Sequence, residues 1–219
     1  MFINLKETED SKIYVTSDPH LGHQRDFVWK VRGYNSAEEH TDDWFNKTNS
    51  IVRPNDILIC LGDFCLNTPF AKFNEYLSRI NCQNLYCLWG NHNNPHEKAV
   101  YNAGMGNKFV RGLPVMNYPF EYRNMVYLPH YVEAALNGQY AVLCHYPISV
   151  WNEMQNGAWM LCGHSHYGFD PSRAENLTSK ILDVGWDGHK APWSLQEIAA
   201  VMAKKGFNKV DHHGPGMGK

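Results

Sequence analysis

Three short apolar runs, residues 12–17, 57–61 and 84–89, alternate with two helix-patterned stretches, and this alternation constrains the fold more than any other feature. Ile57-Leu58-Ile59-Cys60-Leu61 has no polar residue at alternate positions, the pattern of a strand buried on both faces. The first helical stretch opens at Ser36-Ala37-Glu38-Glu39. In this capping-box pattern the Ser36 hydroxyl and the Glu39 carboxylate each satisfy an orphan backbone donor. It runs to about Val52, with Trp44, Phe45, Thr48 and Ile51 at helical spacing. The second covers 68–80, with Phe70, Phe73, Leu77 and Ile80 on one stripe. A β-α-β-α-β order predicts a parallel half-sheet with right-handed crossovers.

After about Lys108 the pattern changes. Residues 125–128, 131–136, 140–143, 159–162 and 180–184 read as further strands, and Asn137-Gly138 is a two-residue hairpin signal. A last helix starts at a second capping box, Ser194 with Glu197, and ends before Gly206. The expected architecture is α/β: a four-layer α-β-β-α sandwich of two mixed sheets flanked by helices. One domain over residues 1–210 is expected, and the Gly- and His-rich tail 211–219 is expected to be mobile.

A chain of 219 residues with 43% hydrophobic and 19% charged residues can bury a complete core. A net charge of −2 and a pI near 6.6 argue against extended nucleic-acid binding. The six cysteines form no Cys-x-x-Cys pair, and most sit in apolar runs, which predicts buried reduced thiols and a cytoplasmic protein. The first residues, Met1-Phe2-Ile3-Asn4-Leu5-Lys6-Glu7, are too acidic and mixed for a signal peptide. No apolar run approaches the ~18 residues of a membrane span, so a soluble protein with no membrane partner is expected.

Five short motifs follow strand-like runs: Asp18-Pro19-His20, Gly62-Asp63, Gly90-Asn91-His92, Cys144-His145 and Gly163-His164-Ser165-His166. Adjacent strands bring their exits together, where ligands cluster in α/β folds. Asp18, His20, Asp63, Asn91, His145, His164 and His166 offer seven donors. A tetrahedral ion takes four, so the set suits two ions sharing a bridge. A carboxylate such as Asp63 can span two cations about 3.5–4 Å apart. Asp18 and His20 are expected to alternate along an extended segment and so point the same way. Taken singly, each motif has a bland alternative: Asp63 as a turn or cap aspartate, Asn91 as a turn residue, His145 as a satisfied core histidine.

The order Asp-x-His, Gly-Asp, Gly-Asn-His, His, Gly-His-x-His resembles the calcineurin-like metallophosphoesterase superfamily, small bacterial and phage-type members in particular, from Asp18 to His166. The resemblance implies a sandwich of two mixed sheets. It implies one metal on Asp18, His20, Asp63 and His166, and another on Asp63, Asn91, His145 and His164. It further implies phosphoester hydrolysis by a metal-bridging hydroxide, with His92 beside the site assisting the leaving oxygen. Mixed imidazole and carboxylate donors suit two divalent transition ions, manganese, iron, zinc or nickel, better than magnesium or calcium.

Three departures narrow the reading. Gly62-Asp63-Phe64 lacks the Asp-Arg-Gly of protein serine/threonine phosphatases, so phosphodiesters are favoured over phosphomonoesters, with nucleotides among the candidate substrates. Asn93 stands where an acidic residue often follows Gly-Asn-His, and Pro19 stiffens the first motif. His23 is either a substrate contact or a surface-loop histidine. Arg25, Arg111, Arg123 and Arg173 are candidate phosphate contacts or solvated charges, while Asp183, Gly185, Trp186 and Asp187 follow a late strand and line the pocket or pack in the core. Two further activities compete: a nuclease acting on single strands or ends, and a non-catalytic metal-binding scaffold for protein partners.

Overall fold

The three apolar runs become parallel strands. In the computed structural model, which describes residues 1–66, 68–92, 109–110, 113–114 and 118–206, β2 (Ile13–Thr16), β3 (Ile57–Cys60) and β4 (Asn84–Cys87) lie side by side, with Thr16 level with Cys60 and Cys60 level with Cys87. Alternation sends Leu58 and Cys60 to one face, Ile59 and Leu61 to the other, and all four are fully buried. The two crossovers are the helices α2 (Ala37–Ile51) and α3 (Phe70–Arg79). They pack Trp44, Phe45, Phe73 and Leu77 against the Leu58 and Cys60 face.

The helix boundaries follow their caps. Ser36 Oγ accepts from Glu39 N at 3.0 Å, as the sequence predicts. The other half of the box is corrected: Glu39 Oε2 takes the N–H of Asn35 at 2.7 Å rather than that of Ser36, one residue further out. The apolar stripes also end early, since Ile51 and Phe70 are each about one-third exposed.

The six-stranded sheet runs β13-β2-β3-β4-β8-β7, adding β7 (Phe120–Tyr122), β8 (Met125–Tyr127) and β13 (Trp193–Ser194). The five-stranded sheet runs β1-β9-β10-β11-β12, from β1 (Phe2–Leu5), β9 (Tyr131–Leu136), β10 (Gln139–Cys144), β11 (Trp159–Cys162) and β12 (Ile181–Asp183). A minor pair joins β5 (Phe109–Val110) to β6 (Leu113–Pro114). Both large sheets are mixed. The β9–β10 hairpin turns on Asn137 and Gly138, both at positive φ (50° and 89°), as a type I′ turn requires.

The inner faces meet through Ile59, Leu61, Val132, Leu143, Leu161 and Leu182. Helix α5 (Leu195–Lys204), opened by the Ser194–Glu197 capping box, closes the side of the sandwich against β2, β12 and β13. The outer face of the five-stranded sheet is covered by the β10–β11 connection, through Trp151 and Met154. Two one-turn helices, α1 (Asp26–Trp29) and α4 (Trp186–His189), follow the exits of β2 and β12. All six cysteines are buried free thiols. No helix among the described residues is long and apolar enough to cross a membrane. The tail 211–219 and Asn93 lie outside the described residues.

Candidate metal centre

The parallel registers bring the motif-bearing exits to one end of the sandwich. Asp18 N donates to Gly62 O (3.1 Å) and His20 N to Asp63 O (3.0 Å), so the first two motifs run alongside each other. Gly163 N donates to His145 O at 2.9 Å, coupling the last two. The sheets are joined where Ser17 bridges Gly185 and Trp186 N donates to Ser17 O at 3.0 Å.

Two donor groups form at this junction. Asp18, His20 and His166 make one, and Asp18, Asp63 and His145 the other, with the ligand atoms of each within 4.8 Å of one another. Asp63 Oδ2 stands 3.7 Å from His20 Nε2 and 3.5 Å from His145 Nε2, between the two sets. Asp18 Oδ1 lies 3.7 Å from His20 Nε2 and 4.0 Å from His166 Nε2, while its Oδ2 accepts from His164 N at 2.8 Å. Asn91 Oδ1 is 2.9 Å from His145 Nε2. The His164 ring lies outside both groups, exposed and tilted against His145 and Tyr146.

Both His145 nitrogens face oxygens, Nδ1 toward Leu61 O at 3.2 Å and Nε2 toward Asn91 Oδ1 at 2.9 Å; with the hydrogen on Nδ1, the Nε2 lone pair points into the cluster. His166 Nδ1 faces Asp187 Oδ2 at 2.8 Å, which again leaves Nε2 as the lone pair. Asp18 Oδ1 and both His20 nitrogens are buried without a hydrogen-bond partner. Carboxylate oxygens and imidazole nitrogens thus face one another at close range. Spacings of 3.5–4.0 Å exceed a hydrogen bond and match two ligands each about 2.1 Å from a shared ion. The residues fit divalent cations.

The electrostatics agree. Burial raises the Asp63 carboxyl to about 7, with the Asp18 charge adding to it. Burial likewise raises Asp18, and His166 offsets part of that. Burial, then the charges of Arg32 and neighbouring imidazoles, holds His20 well below its usual value. Burial and His164 take His145 down to about 3. Nearby positive charge would favour the ionised form of the two raised carboxyls and suits the neutral rings of His20 and His145.

The backbone here is unusual. Asp18, His20, Asp63, His164 and His166 all have left-handed φ, between 49° and 64°. This corrects the extended geometry predicted for Asp18 and His20. Their side chains converge because two left-handed residues flank Pro19, not through strand alternation. Two glycines admit the close approach: a Cβ on Gly90 would overlap the Asp63 carboxylate, and one on Gly163 would overlap Ser17 and Asp18.

A second layer holds the first. The buried Arg32 guanidinium donates to Asp187 (Nε at 2.9 Å, Nη2 at 2.6 Å), Asp18 O (3.0 Å) and Pro19 O (3.4 Å), and its Nη1 lies 3.0 Å from His40 Nε2. It locks the first motif to Asp187, and Asp187 orients His166. Burial opposes a charged His166, but the Asp187 contact outweighs it and raises the imidazole. Asp183, fully buried, accepts from Ser165 Oγ (2.6 Å), Tyr167 N (3.0 Å) and Gly185 N (2.8 Å), fixing the Gly-His-Ser-His loop. Sequence reasoning missed Arg32 and His40; the one available cue was Asp187, an acidic residue beside the last motif that needs a cation. Trp186 is fully buried against Trp44, a core residue.

His92 sits at the rim. Its N–H donates to Asp63 Oδ1 at 2.8 Å and its ring is 5.6 Å from that of His20. Burial, then His166, lowers it. His23 is 3% exposed, which removes the surface-loop reading. It accepts from Arg25 N at Nδ1 (3.2 Å) and is edge-on to His20. Arg25 is exposed at the start of α1. Arg123 is corrected: it donates to Asn74 O and Ser78 Oγ on α3, away from the cluster. Arg173 donates to Tyr167 O at 2.8 Å. Arg111 lies outside the described residues.

A search of curated proteins gives no match. Among solved structures, a protein of unknown function, AQ665 from Aquifex aeolicus, is similar in fold, with a TM-score of 0.61 and 17% identity over 88% of this chain and 100% of that one. The family model for calcineurin-like phosphoesterase matches residues 11–190, a span that takes in all five motifs and every strand of the two large sheets except β1 and β13. On that match, the chain belongs to the calcineurin-like phosphoesterase family.

Proposed function

We propose that the protein is a dinuclear metal-dependent phosphoesterase that favours phosphodiesters. Asp18, His20, Asp63 and His166 hold one ion; Asp63, Asn91, His145 and His164 hold the other. The observation that carries the reading is the convergence of imidazole nitrogens on Asp63 Oδ2, 3.7 Å from His20 Nε2 and 3.5 Å from His145 Nε2. His164 is exposed and outside both tight groups, and a turn of its ring toward Asp63 would complete the second set.

Two divalent ions supply Lewis-acid polarisation of the phosphoryl oxygens and activation of water. The rest is done by the chain. Leu61 O and Asp187 hold the His145 and His166 tautomers that present Nε2. His92, fixed through its backbone on Asp63, faces the leaving oxygen and donates from its imidazole. His23, with Nδ1 accepting, presents its Nε2–H to the substrate, and Arg25 adds an exposed charge at the rim.

The diester preference follows from the shortage of free guanidinium. Position 64 is phenylalanine, and the five donors of Arg32 are already engaged, so among the described residues no free guanidinium at the floor grips the second negative charge of a monoester. After manganese loading, bis-p-nitrophenyl phosphate is hydrolysed faster than p-nitrophenyl phosphate; the reverse order removes the preference. Elemental analysis finds two ions per chain, manganese, iron, zinc or nickel, and none after Asp63→Ala. The six free thiols suit a reducing compartment, and we assign the cytoplasm.

A further inference from the structure

A groove opens directly beside the metal centre, lined by Phe27, Val28, Val31, Arg32, His166 and Asp187, with a volume near 470 Å³. That is room for a small-molecule moiety. Its walls are apolar and unusually open: Phe27 is 62% and Val31 77% exposed. Its floor is ionic but already neutralised, because Arg32 and Asp187 bind each other and their neighbours. Such a floor has no spare donor for a second phosphate. The groove therefore takes an uncharged group.

We infer that this groove is a nucleobase subsite, which makes the substrates nucleotide phosphoesters. The assignment rests on the phosphoesterase reading above and deepens it. Three features choose the occupant. The groove is continuous with the cluster, since His166 belongs to both, so a substituent esterified to a phosphate held there has this space next to it. Phe27 meets His23 edge-on (centroids 5.4 Å apart, 72°), which meets His20 edge-on (5.6 Å, 86°), so an aromatic ring that stays 62% exposed stands at the mouth, in ring contact with the cluster. A flat base stacks on such a face whatever its identity.

The test is a pair of ligands differing only in the base, AMP and ribose 5-phosphate, measured by equilibrium dialysis on the manganese-loaded protein. AMP binds about tenfold tighter, within the usual worth of one base–aromatic stack. In Phe27→Ala that ratio falls to about 2, and in Phe27→Trp it is kept, as an aromatic-face contact predicts. Because Phe27 is mostly exposed, its replacement leaves the core intact. A ratio near one in the wild type, including no binding of either ligand, overturns the subsite, as does a ratio unchanged in Phe27→Ala. Octyl phosphate binding more tightly than AMP also overturns it, in favour of an aliphatic chain. The ratio is read without turnover. If diesters resist hydrolysis, the phosphodiesterase reading fails alone; if they are cleaved and the base is not felt, the subsite fails alone.

Discussion

Asp187 Oδ2 lies 2.8 Å from His166 Nδ1 and 2.6 Å from Arg32 Nη2, so one carboxylate fixes both a candidate ligand and the guanidinium that clamps the first motif. Asp187→Asn removes the acceptor that sets the His166 tautomer. Metal affinity falls about 10–100-fold, the usual worth of an outer-layer partner. Competition with a chelator measures it; unchanged affinity would mean that His166 is oriented by other contacts.

His92 is kept apart from the ligand groups, with its ring at the rim and only its backbone on Asp63. His92→Ala therefore retains two ions by elemental analysis while turnover of bis-p-nitrophenyl phosphate falls by ~10²–10⁴. Metal loss in this variant would make it a ligand. Full turnover would strip it of any role, and a wild type inert with every metal would favour a non-catalytic scaffold.

Asp63 and Asp18 are buried carboxylates held close together. In chelated protein Asp63→Asn removes a repulsive buried charge and raises the urea midpoint. In loaded protein the same change removes the shared ligand and lowers it, because a ligand at about 1,000 times its Kd contributes about 4 kcal/mol. The opposite signs are the prediction. A variant destabilised equally in both states would indicate a packing role.

Away from the site, Asp56 ties the β3 entry. Oδ1 accepts from Lys12 N and Oδ2 from Arg53 N, both at 2.8 Å. Burial raises its carboxyl, but the hydrogen bonds from Arg53 and Lys12 outweigh burial and hold it below 3.8. A lowered folded pKa gives stability that is present above the unfolded value and lost as pH falls through the folded one. Asp56→Asn costs about 1–3 kcal/mol at pH 7. The gap to wild type narrows below about pH 4, as chemical denaturation at the two pH values would record.

The parts of the fold that sequence makes legible are those set by local pattern. Residues 57–60 read as a doubly buried strand because no polar residue interrupts them, and Asn137-Gly138 reads as a hairpin because both residues tolerate positive φ. The strand β1 escapes notice: its side chains are half-buried or exposed, and its pairing with β9 lies some 130 residues away in the chain, Phe2 opposite Glu133. Arg32 is hidden for the same reason. In Lys30-Val31-Arg32-Gly33 it looks like a solvated charge, and its burial depends on Asp187, which arrives 155 residues later. The residue types gathered at the candidate site are legible in sequence. Its geometry is not, since nothing in Asp18-Pro19-His20 announces left-handed backbone on both sides of a proline.

That backbone has a cost beyond shape. Each non-glycine residue in the left-handed region gives up about 1 kcal/mol relative to a relaxed turn, and five of those gathered where the sheets open are candidate donors. Glycine at any of these places would ease the chain and silence the donor it carries. Heat resistance and chemistry thus pull the same five positions in opposite directions, and the sandwich beneath must be firm enough to hold them taut.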